Sequence, residues 1–241
     1  MSPPDIRIEI ASVDSFIIRL GLGTVIDPEL IPWVRAVVAQ LRKRLGARLI
    51  EIVPSYTTVM VQYDLLRDDA DTMRHDLTVA LRDLEPASIH PGRLHDIPVW
   101  YAAEVGPDLK ALAESASLSV EQLIDRHAHR EYSVFAIGFA PCFAYLGLVD
   151  PCLAAFRHTR PRRHVPAGSV GIAERQTAIY PIESPGGWHI IGRAPLPLFH
   201  GGRIATCPFE VGDRVRFIPI DEQAYLAMGG RMDDIPWDDA S

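Results

Sequence analysis

From Tyr132 to about Ile220 the chain never sustains an apolar run long enough for an ordinary helix. The runs are short (YSVFAIGF, AGSVGIA, TAIYPI, WHIIGRA, DRVRFIPI), and glycine and proline separate them. Apolar runs of this length, with turn signals roughly every 8–12 residues, read as strands. A series of such strands reads as a closed or nearly closed β-barrel. Asn is absent from the whole chain, so Gly, Asp and Pro carry the turns, as in SPGGW and VGD.

The first hundred residues have a different rhythm. IRIEIAS and SFIIRLG, rich in Ile and broken by Asp14, predict two strands. The stretch from Asp27 to Gly46 predicts a helix. Asp27 caps it, Pro28 suits its first turn, and Leu30, Trp33, Val34, Val37, Val38 and Leu41 repeat at helical spacing. ARLIEIVP and TTVMVQYD predict two further strands, Asp69 to Leu84 a second helix, and DIPVWYAAE a closing strand after a His90–Pro91–Gly92 turn. The β-α-β-β-α-β order is that of a ferredoxin-like domain. Two short helices follow. Asp108 reads as the cap of the first, and Ser119 with Gln122 as a capping box for the second. The fold class predicted is therefore α+β. Residues 1–104 form an N-terminal ferredoxin-like domain, 105–230 a β-barrel domain with two leading helices, and 231–241 a short, frayed acidic tail.

Charge and motifs exclude much. The 24 basic residues against 31 acidic ones leave a net charge of −7, which argues against nucleic acid or an anionic membrane as partner. The three cysteines lack C-x-x-C spacing, so they predict neither a disulfide framework nor a zinc site, and the expectation is no metal-ligand set. No signal peptide or membrane-spanning stretch is predicted, so the expected location is the cytoplasm. P-loop, Rossmann, H-E-x-x-H and G-x-S-x-G motifs are missing, and GLGT at Gly21–Thr24 is the wrong length for a dinucleotide loop.

The chemically costly residues concentrate between Gly138 and Arg193. Five ordered stretches there and beside it, GPDL (Gly106–Leu109), GFAPCFAYLG (Gly138–Gly147), PRRHVPAGSVGIA (Pro161–Ala173), QTAIYPIESPGGWHIIGRAP (Gln176–Pro195) and GDRVRF (Gly212–Phe217), resemble the family of the B-type subunit of 5-oxoprolinase. That family includes the Kip sporulation-kinase inhibitor and allophanate hydrolase subunit 1, and is similar to half of the carboxyltransferase region of urea carboxylase.

The resemblance implies a cyclophilin-like barrel as the second domain. It also implies work with an A-type and a C-type partner subunit, opening the small lactam 5-oxoproline to glutamate with ATP held by or shared with a partner. Lactam opening through a phosphorylated amide needs cations for phosphate, donors for an oxyanion and a base for water. The catalytic candidates are Arg162, Gln176, Tyr180 and Glu183. The substrate-binding candidates are His127, Phe143, Tyr145, Ser169, Ser184, Trp188 and Arg193. A histidine-kinase inhibitor and a component of an allophanate or urea carboxyltransferase system are the competing readings.

Each candidate has a structural reading beside the functional one. The aromatics can be core packing, Arg162 can pair with a carboxylate, SPGGW is first a turn, and His127 can be a satisfied buried histidine. GPDL reads as a loop ending in a helix cap, not as catalytic. Relatives usually carry Gly where Cys142 stands, so this turn is either conventional or strained. Ala194, His164, Ala178 and Phe156 depart similarly, and they leave the substrate open.

Overall fold

The computed structural model describes residues 4–21, 26–86, 92–195, 207–232 and 237. The GLGT stretch beyond Gly21, the His90–Pro91 turn and most of the acidic tail lie outside the described residues. The chain forms two compact units, Met1–Gly92 and Arg93–Ser241.

The first unit holds β1 (Ile6–Ser12), β2 (Ser15–Leu20), α1 (Ile31–Leu45), β3 (Leu49–Ser55), β4 (Thr58–Tyr63) and α2 (Ala70–Leu81). Its strands lie in the antiparallel order β1-β2-β4-β3. Local chemistry sets the ends. The Asp27 carboxylate accepts the Glu29 N–H in a short turn leading into α1, and Asp69 accepts the Thr72 N–H to start α2. Trp33, Val34, Val37 and Leu41 on α1 are buried, as are Met73 and Leu77 on α2 and Phe16, Ile18, Val59 and Val61 on the sheet.

The second unit holds β5 (Leu94–Trp100), α3 (Leu109–Ser115), α4 (Val120–Ala128), β6 (Glu131–Ile137), β7 (Ala144–Gly147), β8 (Arg162–Val165), β9 (Ser169–Ala173), β10 (Gln176–Ile179), β11 (Ser184–Gly186), β12 (His189–Arg193), β13 (Arg214–Ile220) and α5 (Glu222–Ala227). Seven strands close on themselves in the order β6-β13-β5-β12-β9-β10-β7, with β7 returning to β6. This is the closed barrel expected from the punctuated half of the sequence. Strands β8 and β11 form a separate antiparallel ribbon. The Ser119–Gln122 capping box forms as read.

The ferredoxin-like reading is corrected at its last strand. Strand β5 pairs in parallel with β13 along its whole length and antiparallel with β12, both barrel strands. The place beside β2 that a closing strand would fill is taken by β1. Asp213 reinforces the choice. Its carboxylate accepts the Arg93 and Glu210 N–H groups and lies 3.0 Å from His95 Nε2, tying the start of β5 to the turn before β13. The unit boundary accordingly falls after Gly92, not at residue 104.

Every barrel strand contributes to one interior cluster, including Ile97, Val134, Leu146, Ile172, Ile179, Ile191 and Phe217, with Leu109, Leu112 and Leu123 from the two helices packed against it. Side chains alternate along a strand. The opposite face of β9, β10 and β12 therefore buries a second cluster of Phe143, Val165, Ala173, Ala178, Tyr180, Trp188 and Ile190. The aromatic candidates Phe143, Tyr180 and Trp188 belong to the second cluster. No helix among the described residues is long and apolar enough to cross a membrane.

Candidate functional site

The interior face holds His127. It is fully buried on α4, stacks on Phe217 with ring centroids 4.6 Å apart, and sits between two hydroxyls. Thr177 Oγ1 donates to the Gly171 carbonyl at 3.0 Å, so it accepts from His127 Nε2–H at 2.9 Å. Nδ1 then accepts from the Tyr101 hydroxyl at 2.8 Å. Burial drives the His127 pKa down to about 3, so the imidazole is neutral. Both nitrogens are satisfied by protein groups, which is the chemistry of a structural histidine.

The outer face is built around Asp108. The loop after β5 presses on β12 closely enough that a methyl group at Gly106 would overlap the Ile191 backbone. Asp108 N–H donates to the Ile190 carbonyl at 3.0 Å, and its carboxylate accepts the Ile190 N–H at 2.7 Å. Arg162, buried on β8, grips both carboxylate oxygens at 2.7 Å each. Asp108 thus makes no side-chain cap to α3, and the helix-cap reading of GPDL is corrected. Burial raises the Asp108 pKa, but the Arg162 and Ile190 donors outweigh it and hold the carboxyl below its usual range.

Two histidines stand beside this pair. His158 is anchored by its N–H to the Gly187 carbonyl. Its Nε2 lies 3.4 Å from Asp108 Oδ2, yet without hydrogen-bond geometry, so this buried atom has no hydrogen-bond partner among the described residues. Burial lowers the His158 pKa, with Asp108 opposing and His189 and Arg162 adding to the effect. The His158 and His189 ring centroids are 4.1 Å apart, and His189 Nε2 donates to the Phe156 carbonyl at 2.8 Å. Asp108, His158 and His189 each place a donor atom within 4.8 Å of the others. Cysteine spacing, on which the expectation of no metal-ligand set rests, does not report on a histidine–carboxylate cluster of this kind.

An aromatic wall adjoins the pair. Phe143 meets Tyr145, Tyr180 and Trp188 edge-on at 4.9, 5.3 and 5.7 Å. Tyr180 is buried, and burial pushes its hydroxyl pKa up. Gly186 is required here, because a Cβ would overlap the Tyr180 hydroxyl. The Arg157 guanidinium lies 5.6 Å above Trp188, and that of Arg162 lies 5.7 Å from the Trp237 ring. Four buried polar atoms without a partner among the described residues, His158 Nε2, Arg162 Nε, Ser169 Oγ and Ser184 Oγ, come from β8, β9, β11 and the loop before β8.

The structure therefore brings Arg162, Tyr180, Trp188, Phe143 and Tyr145 together, with Ser184 on the ribbon. Gln176 is buried on β10 and alternates onto the same strand face as Ala178. His127 is on the opposite face. Glu183 is largely exposed and pairs with His164 at 3.0 Å. Arg193 Nε donates to the Ala167 carbonyl and its Nη1 to that of Arg231, a clamp between loops. Cys142 takes the strained alternative, with φ of 65° in the left-handed region. Its thiol is pushed up to about 12 by burial and by Cys207 beside it. Sequence reasoning missed Asp108, His158 and His189 as site residues. The signal available for Asp108 was the glycine two residues before it, which marks a close backbone approach.

Three comparisons bear on what this arrangement is for. The family described as carboxyltransferase domain, subdomain C and D, matches residues 6–209. The chain is 34% identical over 232 residues to the B-type subunit of 5-oxoprolinase from Bacillus subtilis (strain 168), covering 92% of this chain and 97% of that protein. Among solved structures, TTHA0988 superimposes with a TM-score of 0.74 at 32% identity over 86% of this chain, which spans only 40% of TTHA0988. Urea amidolyase of K. lactis gives a TM-score of 0.74 at 12% identity, covering 95% of this chain and 16% of the enzyme, a likeness of fold alone.

Proposed function

The chain belongs to the family of the carboxyltransferase domain, subdomain C and D, and on that premise we propose that it is the B-type subunit of a 5-oxoprolinase complex. The complex couples ATP hydrolysis to opening of the 5-oxoproline lactam, with A-type and C-type partner subunits. The observation that carries this reading is the near end-to-end similarity to the B-type subunit of a bacterial 5-oxoprolinase.

The chemistry of the outer face supports it. A lactam is resonance-stabilised, and phosphorylating its oxygen makes the carbon electrophilic. In this reading the Phe143–Tyr145–Trp188 wall packs the apolar ring edge, while Gln176 and the Tyr180 hydroxyl donate to the oxygen as charge develops. Arg162 is a positioning residue, because its guanidinium is spent on Asp108. Glu183, at the exposed rim, is the candidate base for water. The chain contains no phosphate loop, so ATP is held by or shared with a partner.

Co-expression with A- and C-type subunits, followed by an assay of ATP-dependent glutamate release from 5-oxoproline, tests the reading. Turnover is expected from the three-subunit mixture and not from this chain alone. A mixture in which this chain is dispensable would overturn it. The second reading, a component of a urea- or allophanate-processing carboxyltransferase, is favoured by the fold likeness to urea amidolyase. Carboxylation dependent on a biotinyl partner, without glutamate release, would select it.

A further inference from the structure

We propose that Asp108, His158 and His189 form a binding site for a borderline divalent transition-metal ion of the zinc class. The proposal stands on geometry and does not depend on the oxoprolinase reading.

Three observations converge. First, the three donor atoms lie within 4.8 Å of one another, which is close enough for a single ion to reach all of them with small side-chain shifts. Second, His158 Nε2 is buried with no hydrogen-bond partner among the described residues. A buried ring nitrogen left unpaired is costly, and the reason it is unpaired is visible. Asp108 Oδ2, its neighbour at 3.4 Å, already accepts from Arg162 Nη1 and from the Ile190 amide. A metal ion is held by the Nε2 lone pair and needs from Asp108 only the acceptor position that its three hydrogen bonds leave open.

Third, His189 carries the outer hydrogen bond to a backbone carbonyl that is common in metal-bound histidines. Its Nε2–H is fixed on the Phe156 carbonyl, which leaves Nδ1 as the ring's lone pair. Asp108 is held rigidly by Arg162 and Ile190. Those three donors use three of a carboxylate's roughly four acceptor positions, and one remains.

Two imidazoles and one carboxylate suit zinc and its first-row neighbours, not the oxygen-seeking Mg²⁺ or Ca²⁺. Because Arg162 offsets the charge of Asp108, the ion enters a nearly neutral donor set. Three protein donors leave a coordination position open for water or an anionic oxygen.

The test is equilibrium dialysis of the reduced full-length chain against Zn²⁺, with bound metal measured by atomic emission. One equivalent is expected, undisturbed by millimolar Mg²⁺. In His158→Ala and in His189→Leu the affinity is expected to fall about 100-fold or more, beyond the 10–100-fold that loss of an outer hydrogen bond brings. Far-UV circular dichroism and the metal-free Tm, measured in parallel, show that each variant is folded. Cys142→Ser/Cys207→Ser is expected to bind as the parent does. Absence of saturable binding overturns the proposal. So does binding that survives both histidine substitutions, that is lost with the cysteines, or that Mg²⁺ displaces.

Discussion

Two polar networks, one inside the barrel and one against the outer side of β12, differ in one respect. On the interior side, His127, Tyr101 and Thr177 close a chain of hydrogen bonds in which every donor finds an acceptor. On the outer side, the charged Asp108–Arg162 bridge is bordered by His158 Nε2, Arg162 Nε and Ser184 Oγ, all buried and all without a hydrogen-bond partner among the described residues. A completed network needs nothing further and fixes the core. An incomplete one is stabilised by whatever supplies the missing contacts, which is a property of binding sites. Burial and charge alone therefore do not mark function. His127 is the more deeply buried histidine and the less chemical one.

The sharpest way to break this contrast is at the bridge. Arg162→Ala strands the Asp108 carboxylate in the protein and is expected to destabilise by about 3–5 kcal/mol in denaturant unfolding. Asp108→Leu combined with Arg162→Met removes both charges and is expected to regain most of that stability while the three-subunit complex stays inactive. A double variant as unstable as Arg162→Ala would mean that the bridge is a packing element only.

On the interior side, His127→Ala removes a packed ring and leaves the Tyr101 hydroxyl unpaired, for an expected loss of about 2–4 kcal/mol. An unchanged midpoint would place His127 outside the core.

A smaller effect follows from pH. The folded imidazole titrates near 3, against about 6.5 when unfolded, so the folded state refuses a proton that the unfolded chain accepts. The contribution of His127 is fully present above about pH 6.5 and is lost as pH falls towards 3, at about 1.4 kcal/mol per pH unit. Between pH 7 and pH 5 the parent should lose about 2 kcal/mol more than His127→Gln. Parallel pH profiles for the two would contradict the sealed interior.

The least effect on stability is expected at the rim. Glu183→Gln breaks an exposed pair with His164, so its Tm should match that of the parent. Any loss in the glutamate-release assay then reports on chemistry, and unchanged turnover would remove Glu183 from the proposed site.

Much of the fold was legible in the sequence because its causes are local. The Ser119–Gln122 box, the α1 stripe of Trp33, Val34, Val37 and Leu41, and the strand punctuation after Tyr132 all act within a few residues. The destination of β5 was not legible. Its apolar pattern suits either sheet, and what excluded the first was that β1 had already filled the place beside β2. The site followed the same division. Composition and order marked Arg162, Tyr180 and Trp188 as chemically unusual, but nothing local distinguished Asp108 from a helix cap.

Helices, the Ser119–Gln122 cap and the barrel strands can be read from the residues alone, since each rests on periodicity and on short-range hydrogen bonds. Which polar groups share an environment depends on the three-dimensional fold. Asp108 meets a guanidinium 54 residues away and an amide 82 residues away, and contacts at such separations are set by how strands register in three dimensions.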